Sequence, residues 1–119
     1  MKTQEIKFKN LDKNYSILIG SDILKILPNK IRSICPRTKK VALIFDKGIP
    51  NKYRKNISKN LKKYELLSYN FKANEKTKSL KSVEFLLNKL LEKNFSRSDL
   101  IIAIGGGITI DLVGFVASI

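Results

Sequence analysis

The residues whose types and spacing could do chemistry gather at three places, the richest near the C-terminus. The stretch "IIAIGGGITIDLVGF", Ile101 to Phe115, reads as a buried strand, three glycines and a helix. Glycine lets another molecule approach the main chain closely. The N–H groups at a helix start attract an anion, aided by the helix dipole. A strand entering a helix through Gly105, Gly106 and Gly107 therefore suits a phosphate or a dinucleotide. The triplet is not a GxGxxG fingerprint, and a tight turn with glycines used only for packing would look the same. Asp111, expected in the first turn of the helix, would repel a phosphate. Its carboxylate suits an amide or hydroxyl donor instead.

Two other points fall where strands should end. Asp46 follows "ALIF" directly and could accept hydrogen bonds from ribose hydroxyls; a turn-forming Asp would look identical. Glu75 and Lys78 lie three residues apart in a polar loop, which a solvated charged loop would also explain. In a parallel sheet all three loops emerge at one edge. The chain has no histidine, so the commonest general base and metal ligand are missing. No residue is assigned to catalysis or to a metal.

The elements that must position these residues follow from periodicity. "EIKFKN" and "NYSILIG" alternate at period two, and "LDKN" between them reads as a turn, which predicts an N-terminal β-hairpin. A helix is expected over "DILKILPNKIRSI", capped by Ser21 and kinked or split by Pro28. "KKVALIF" suits a strand covered on both faces. Tyr53, Ile57, Leu61 and Tyr64 form one stripe of an amphipathic helix, and "ELLSYNFK" is a strand. Leu80, Val83, Leu87, Leu90 and Leu91 give the next helix one apolar face, with Ser79 as its candidate cap. "LIIAI" is the last strand. Helix–strand alternation after the hairpin predicts an α/β, Rossmann-like, doubly wound and mainly parallel sheet, with residues 1–119 as one domain.

Composition sets outer limits. A chain of 119 residues that is 43% hydrophobic can build a core. No apolar run reaches the roughly 18 residues needed to span a bilayer, and the N-terminus has no signal-peptide pattern. The single Cys35 fits a reducing cytoplasm, which is the expected location. The net charge of +14 raises nucleic acid as a partner. The charge is mostly lysine spread along the chain, with no Arg-rich block, which argues against that partner.

The stretch "EKTKSLKSVEFLLNKLLEKNFSRSDLIIAIGGGITIDLVGFVAS" resembles the N-terminal, dinucleotide-binding domain of 3-dehydroquinate synthases. "NYSILIGSDIL" resembles that family's opening strand and helix, and "VALIFDKGIP" its strand ending in an adenosine-side Asp. The resemblance covers nearly the whole chain and is most specific from Ser96 to Ser118. It implies that Asp46 contacts the adenosine ribose of NAD and that Glu75 and Lys78 also face the cofactor. It further implies that Gly106, Gly107 and Ile108 lie along NAD and that Asp111 receives the nicotinamide amide. Two positions depart from the family pattern: Asn74 stands where a Gly is usual, and Ile110 where a small residue is usual. Ile110 would narrow the cofactor groove unless it points into the sheet–helix core.

The family's enzymes are much longer. Their divalent metal, Zn or Co, and most of the grip on the sugar-phosphate substrate belong to a helical C-terminal domain. The chain stops inside its last expected helix, so it reads as the front part of a lyase that needs that missing domain and is a homodimer when full length. The isolated chain is expected to bind NAD weakly, if at all, and to catalyse nothing. Glycerol dehydrogenase-like enzymes and other sugar-phosphate cyclases share these motifs, and a non-catalytic basic domain that binds nucleic acid is the alternative from another class.

Overall fold

The computed structural model describes residues 3–9, 14–72 and 80–119. Of the expected turn at 11–14, residues 11–13 lie outside the described residues, as do the expected polar loop with Asn74, Glu75 and Lys78 and the candidate cap Ser79.

Alternation at period two gives two strands, β1 (Gln4–Lys9) and β2 (Asn14–Ile19), which pair antiparallel with Ile6 opposite Ile17. They form a two-stranded sheet of their own, separate from the main one. The chain then enters a 3₁₀ turn (Ile23–Ile26) and helix α1 (Leu27–Ile34). Pro28 splits the expected single helix by falling in the first turn of α1, where its missing N–H costs nothing. Ser21 is not the cap. Asp22 holds that place with a left-handed backbone (φ 53°) and no side-chain cap bond.

Strand β3 (Lys40–Asp46) is the centre of the molecule. Its five residues Val41 to Phe45 are buried, as a wholly apolar run covered on both faces requires. It pairs in parallel with β4 (Glu65–Phe71) on one side and β5 (Leu100–Ile104) on the other. Helix α2 (Asn51–Asn60) leads into β4, α3 (Leu80–Glu92) into β5, and α4 (Gly107–Ser118) follows β5.

Alternate residues of β3 serve two cores. Val41, Leu43 and Phe45 pack with Ile31 of α1 and with Ile57 and Leu61 of the α2 stripe. Ile44 packs with Val83 and Leu86 of α3 and with Leu112, Val113 and Val116 of α4. Helices on both faces of a parallel sheet make this the doubly wound α/β architecture that alternation predicts, with the hairpin appended. The buried face of α3 keeps Val83, Leu87 and Leu90 of the expected stripe and departs from it at the ends: Leu80 and Leu91 are 78% and 67% exposed, while Leu86 is 2% exposed. The helix is turned so that Val83 and Leu86, one turn apart, meet the sheet.

At the edge where the strands begin, one carboxylate organises the sheet. Asp99 Oδ1 accepts the N–H groups of Lys39 and Lys40, at 3.2 and 2.9 Å, and Oδ2 accepts that of Ser96 at 2.9 Å. Lys40 Nζ donates to the carbonyls of Lys93 and Asn94 beyond the end of α3. Thr38 Oγ1 donates to Ser98 O. Burial alone would raise the Asp99 pKa, but the N–H groups of Ser96, Lys40 and Lys39 and the Ser96 hydroxyl hold it below its ordinary value.

Candidate functional site

The opposite edge, where the parallel strands end, is built from β3 and β5. Phe45 pairs with Ile104, so the residues that follow, Asp46 and Gly105, emerge side by side. They are in contact. A Cβ on Gly105 would lie 2.8 Å from Asp46 Cβ, and the Gly105 backbone has φ +155°. Both facts require glycine there. Gly106 and Gly107 show the reverse condition: both are exposed, and a Cβ on either would meet nothing within 4 Å. Open space therefore lies against the main chain where α4 begins.

Asp46 is half-buried at the end of β3. Its Oδ1 accepts the N–H of Gly48 at 3.2 Å, and its carbonyl accepts that of Ile49 at 3.0 Å, which closes the turn into α2. Oδ2 has no hydrogen-bond partner among the described residues. A carboxylate fixed by one oxygen and available at the other is suited to accept hydroxyl donors.

Helix α4 starts at Gly107, with Gly106 as its N-cap and the Ile110 N–H closing the first turn on Gly106 O at 3.1 Å. This corrects the expected position of Asp111. No acid occupies the first turn, and Asp111 falls in the second, on the same exposed face as Gly107 four residues earlier. The early start arises because the glycines themselves open the helix instead of preceding it as a loop. Ile110 is 52% exposed, so it does not point into the sheet–helix core; it stands beside Asp111 on the open side. Thr109 takes the core position instead. It is fully buried, and its Oγ1 has no hydrogen-bond partner among the described residues.

The structure thus brings Asp46 and the glycine turn together and puts Gly106, Gly107, Ile108 and Asp111 on the opening turns of one helix. Glu75 and Lys78 lie outside the described residues. Arg54, whose side chain fills the inside of the β3–α2 turn, was not signalled by the sequence, where it is one of many basic residues on α2.

The Asp46 carboxylate and the exposed glycine main chain share the edge where β3 and β5 end. The uncrowded main chain at Gly106 and Gly107 and the available Asp46 oxygen fit a dinucleotide. The residues do not fit a metal centre: no group of three metal-ligating side chains occurs among the described residues. No described helix is long and apolar enough to cross a membrane.

Residues 68–119 match the family model described as 3-dehydroquinate synthase N-terminal. The 3-dehydroquinate synthase of Pelagibacter ubique is 40% identical over 114 residues, which is 96% of this chain and 31% of that protein. The 3-dehydroquinate synthase of Clostridium acetobutylicum is 32% identical over 120 residues, covering 99% of this chain and 33% of that protein. The chain therefore spans about a third of the length of these curated relatives. Among solved structures, 2-deoxy-scyllo-inosose synthase superposes with a TM-score of 0.79 at 24% identity, over 99% of this chain and 33% of that one. A second structure of that enzyme, with the same TM-score and identity, is a complex with carbaglucose-6-phosphate, NAD+ and Co2+; it covers 99% of this chain and 31% of that one. Residues 68–119 are thus similar to the N-terminal part of the 3-dehydroquinate synthase family, and nearly the whole chain is similar to about a third of proteins of that name.

Proposed function

We propose that residues 1–119 are the NAD-binding domain of a 3-dehydroquinate synthase. That enzyme is a carbon–oxygen lyase which converts 3-deoxy-D-arabino-heptulosonate 7-phosphate to 3-dehydroquinate and phosphate. The observation that carries this reading is the juxtaposition of Asp46 with the open glycine turn at one edge of a parallel sheet. Asp46 Oδ2 accepts a hydroxyl of the adenosine ribose. Gly106, Gly107 and Ile108 let the cofactor lie against the backbone, where first-turn N–H groups face its phosphates. Asp111 accepts the carboxamide N–H of the nicotinamide, a donor that a carboxylate selects. Glu75 and Lys78, which follow β4 in sequence, are assigned to the cofactor by the family resemblance alone. When bound, NAD supplies a hydride acceptor that oxidises a ring hydroxyl and later returns the hydride. The part of this chain is to bind and orient; a divalent metal and the grip on the substrate phosphate belong to further domains of the relatives.

A second reading is supported by the structural likeness to 2-deoxy-scyllo-inosose synthase: cyclisation of a different sugar phosphate on the same NAD domain. The higher identity to 3-dehydroquinate synthases favours the first.

The test is ligand-observed NMR on the chain with NAD and NADP. An Asp46 carboxylate that accepts from the ribose 2′-hydroxyl repels a 2′-phosphate. NAD should bind with saturation at millimolar concentration and NADP at least about tenfold more weakly, and Asp46→Ala should erase that preference. Absence of NAD binding, or equal binding of the two, overturns the reading.

A further inference from the structure

Arg54, the fourth residue of α2, sends its side chain back under the turn that carries Asp46. Nε donates to Ile49 O at 2.9 Å. Nη2 donates to Asp46 O at 3.0 Å and to Lys47 O at 3.4 Å. Nη1 donates to Asn70 Oδ1 near the end of β4. The guanidinium carbon lies 5.0 Å from the centre of the Phe45 ring. Among the described residues, none of the groups that Arg54 touches is a carboxylate. A planar fork with fixed donor directions is spent here on three carbonyls of one short turn and one amide on the neighbouring strand. A lysine could supply the charge but not the fork.

The consequence falls on Asp46. The carbonyls of Asp46, Lys47 and Ile49 are held from the inside of the turn by Arg54, while the Asp46 carboxylate is held on the outside by the Gly48 N–H. The Cα–Cβ direction of Asp46 is thereby fixed, with Cβ against Gly105. We infer that Arg54 is a positioning residue for the ligand site: it presets the turn that presents the Asp46 carboxylate and does not touch the ligand. In its bearing on NAD this rests on the proposed cofactor reading, and it concerns the adenosine end alone.

Two measurements test it on the full chain, with wild type, Asp46→Ala, Arg54→Lys and the double variant. The first needs no ligand. In Arg54→Lys the amide protons of Gly48 and Ile49 should exchange about tenfold faster, while those of α3 are unchanged, because only the local turn is released. Unchanged exchange at Gly48 and Ile49 overturns the inference. The second is NAD affinity. Arg54→Lys should weaken NAD about tenfold, the scale of a lost orienting contact. In the Asp46→Ala background it should have no further effect, since Arg54 acts through Asp46. Nicotinamide mononucleotide, which lacks the adenosine ribose, should bind equally to all four proteins. Additive losses, or an equal loss for the mononucleotide, would mean that Arg54 supports only general stability, and the inference fails. Faster exchange at the turn with no NAD binding even to wild type would reject the cofactor reading while the role of Arg54 in the turn stands.

Discussion

Gly105 is the residue on which the site turns, and its requirement is double. A Cβ would need an unfavourable φ and would strike Asp46 Cβ. Gly105→Ala is expected to destabilise the chain by about 3 kcal/mol, read as a drop in thermal midpoint. A substitution costing less than about 1 kcal/mol would show that the Asp46–Gly105 contact is readily relieved. Ile110 carries the opposite expectation. Its side chain stands on the open side of α4 next to Asp111, where the family that the sequence resembles usually has a small residue. Ile110→Ala keeps a good helix former and should tighten NAD by about threefold, under 1 kcal/mol, in a direct titration. Weaker binding would show that Ile110 packs on the ligand. The types of these residues were legible in the sequence; their directions were not. Nothing in "GGGITID" says which of Thr109 and Ile110 faces the core, because both neighbours of a helical register are plausible until the sheet fixes the rotation. Arg54 carried no signal, since bonds to backbone carbonyls leave no pattern in side-chain types.

The elements were the most legible level. Period-two alternation gave the hairpin, and the apolar run "VALIF" gave a strand buried on both faces. Boundaries at glycine and proline were less so. Pro28 splits the expected helix, one of the two outcomes foreseen for it, by standing in the first turn of α1, and the glycines open α4, which moves Asp111 into its second turn. The α3 stripe was legible at Val83, Leu87 and Leu90 but not at its ends, because a leucine-rich helix offers several near-equivalent faces and only packing puts Leu86 inside and leaves Leu80 and Leu91 exposed. Asp99 sets the expectation at this scale. Its pKa is lowered in the fold, so the unfolded chain binds the proton more readily in acid. Its contribution is complete well above the ordinary value of 3.8 and is lost as pH falls through the lowered folded value. Thermal midpoints of wild type and Asp99→Asn should differ at pH 7 and converge below about pH 3.8. A difference that stays constant down to pH 2 would remove the carboxylate charge as the cause.

At the scale of the whole molecule, a charge of +14 must show itself in solution. Spread over many lysines, it should give weak, sequence-independent association with duplex DNA that falls by roughly 10³-fold or more between 50 and 200 mM salt. A titration that instead persists at 200 mM salt and discriminates between sequences would restore nucleic acid as a specific partner. The order β4–β3–β5 has a further consequence, in time. The central strand receives its first neighbour soon after it is made, but its second only with β5, about sixty residues further along, as the Thr38–Ser98 bond spans. During synthesis, a chain that has emerged only through α3 has β3 and β4 to zip together but neither the far edge of the sheet nor the glycine against which Asp46 rests. Within these residues the Asp46–Gly105 edge therefore forms only after β5 has emerged, and until then a nascent chain has one long apolar strand waiting for its second partner.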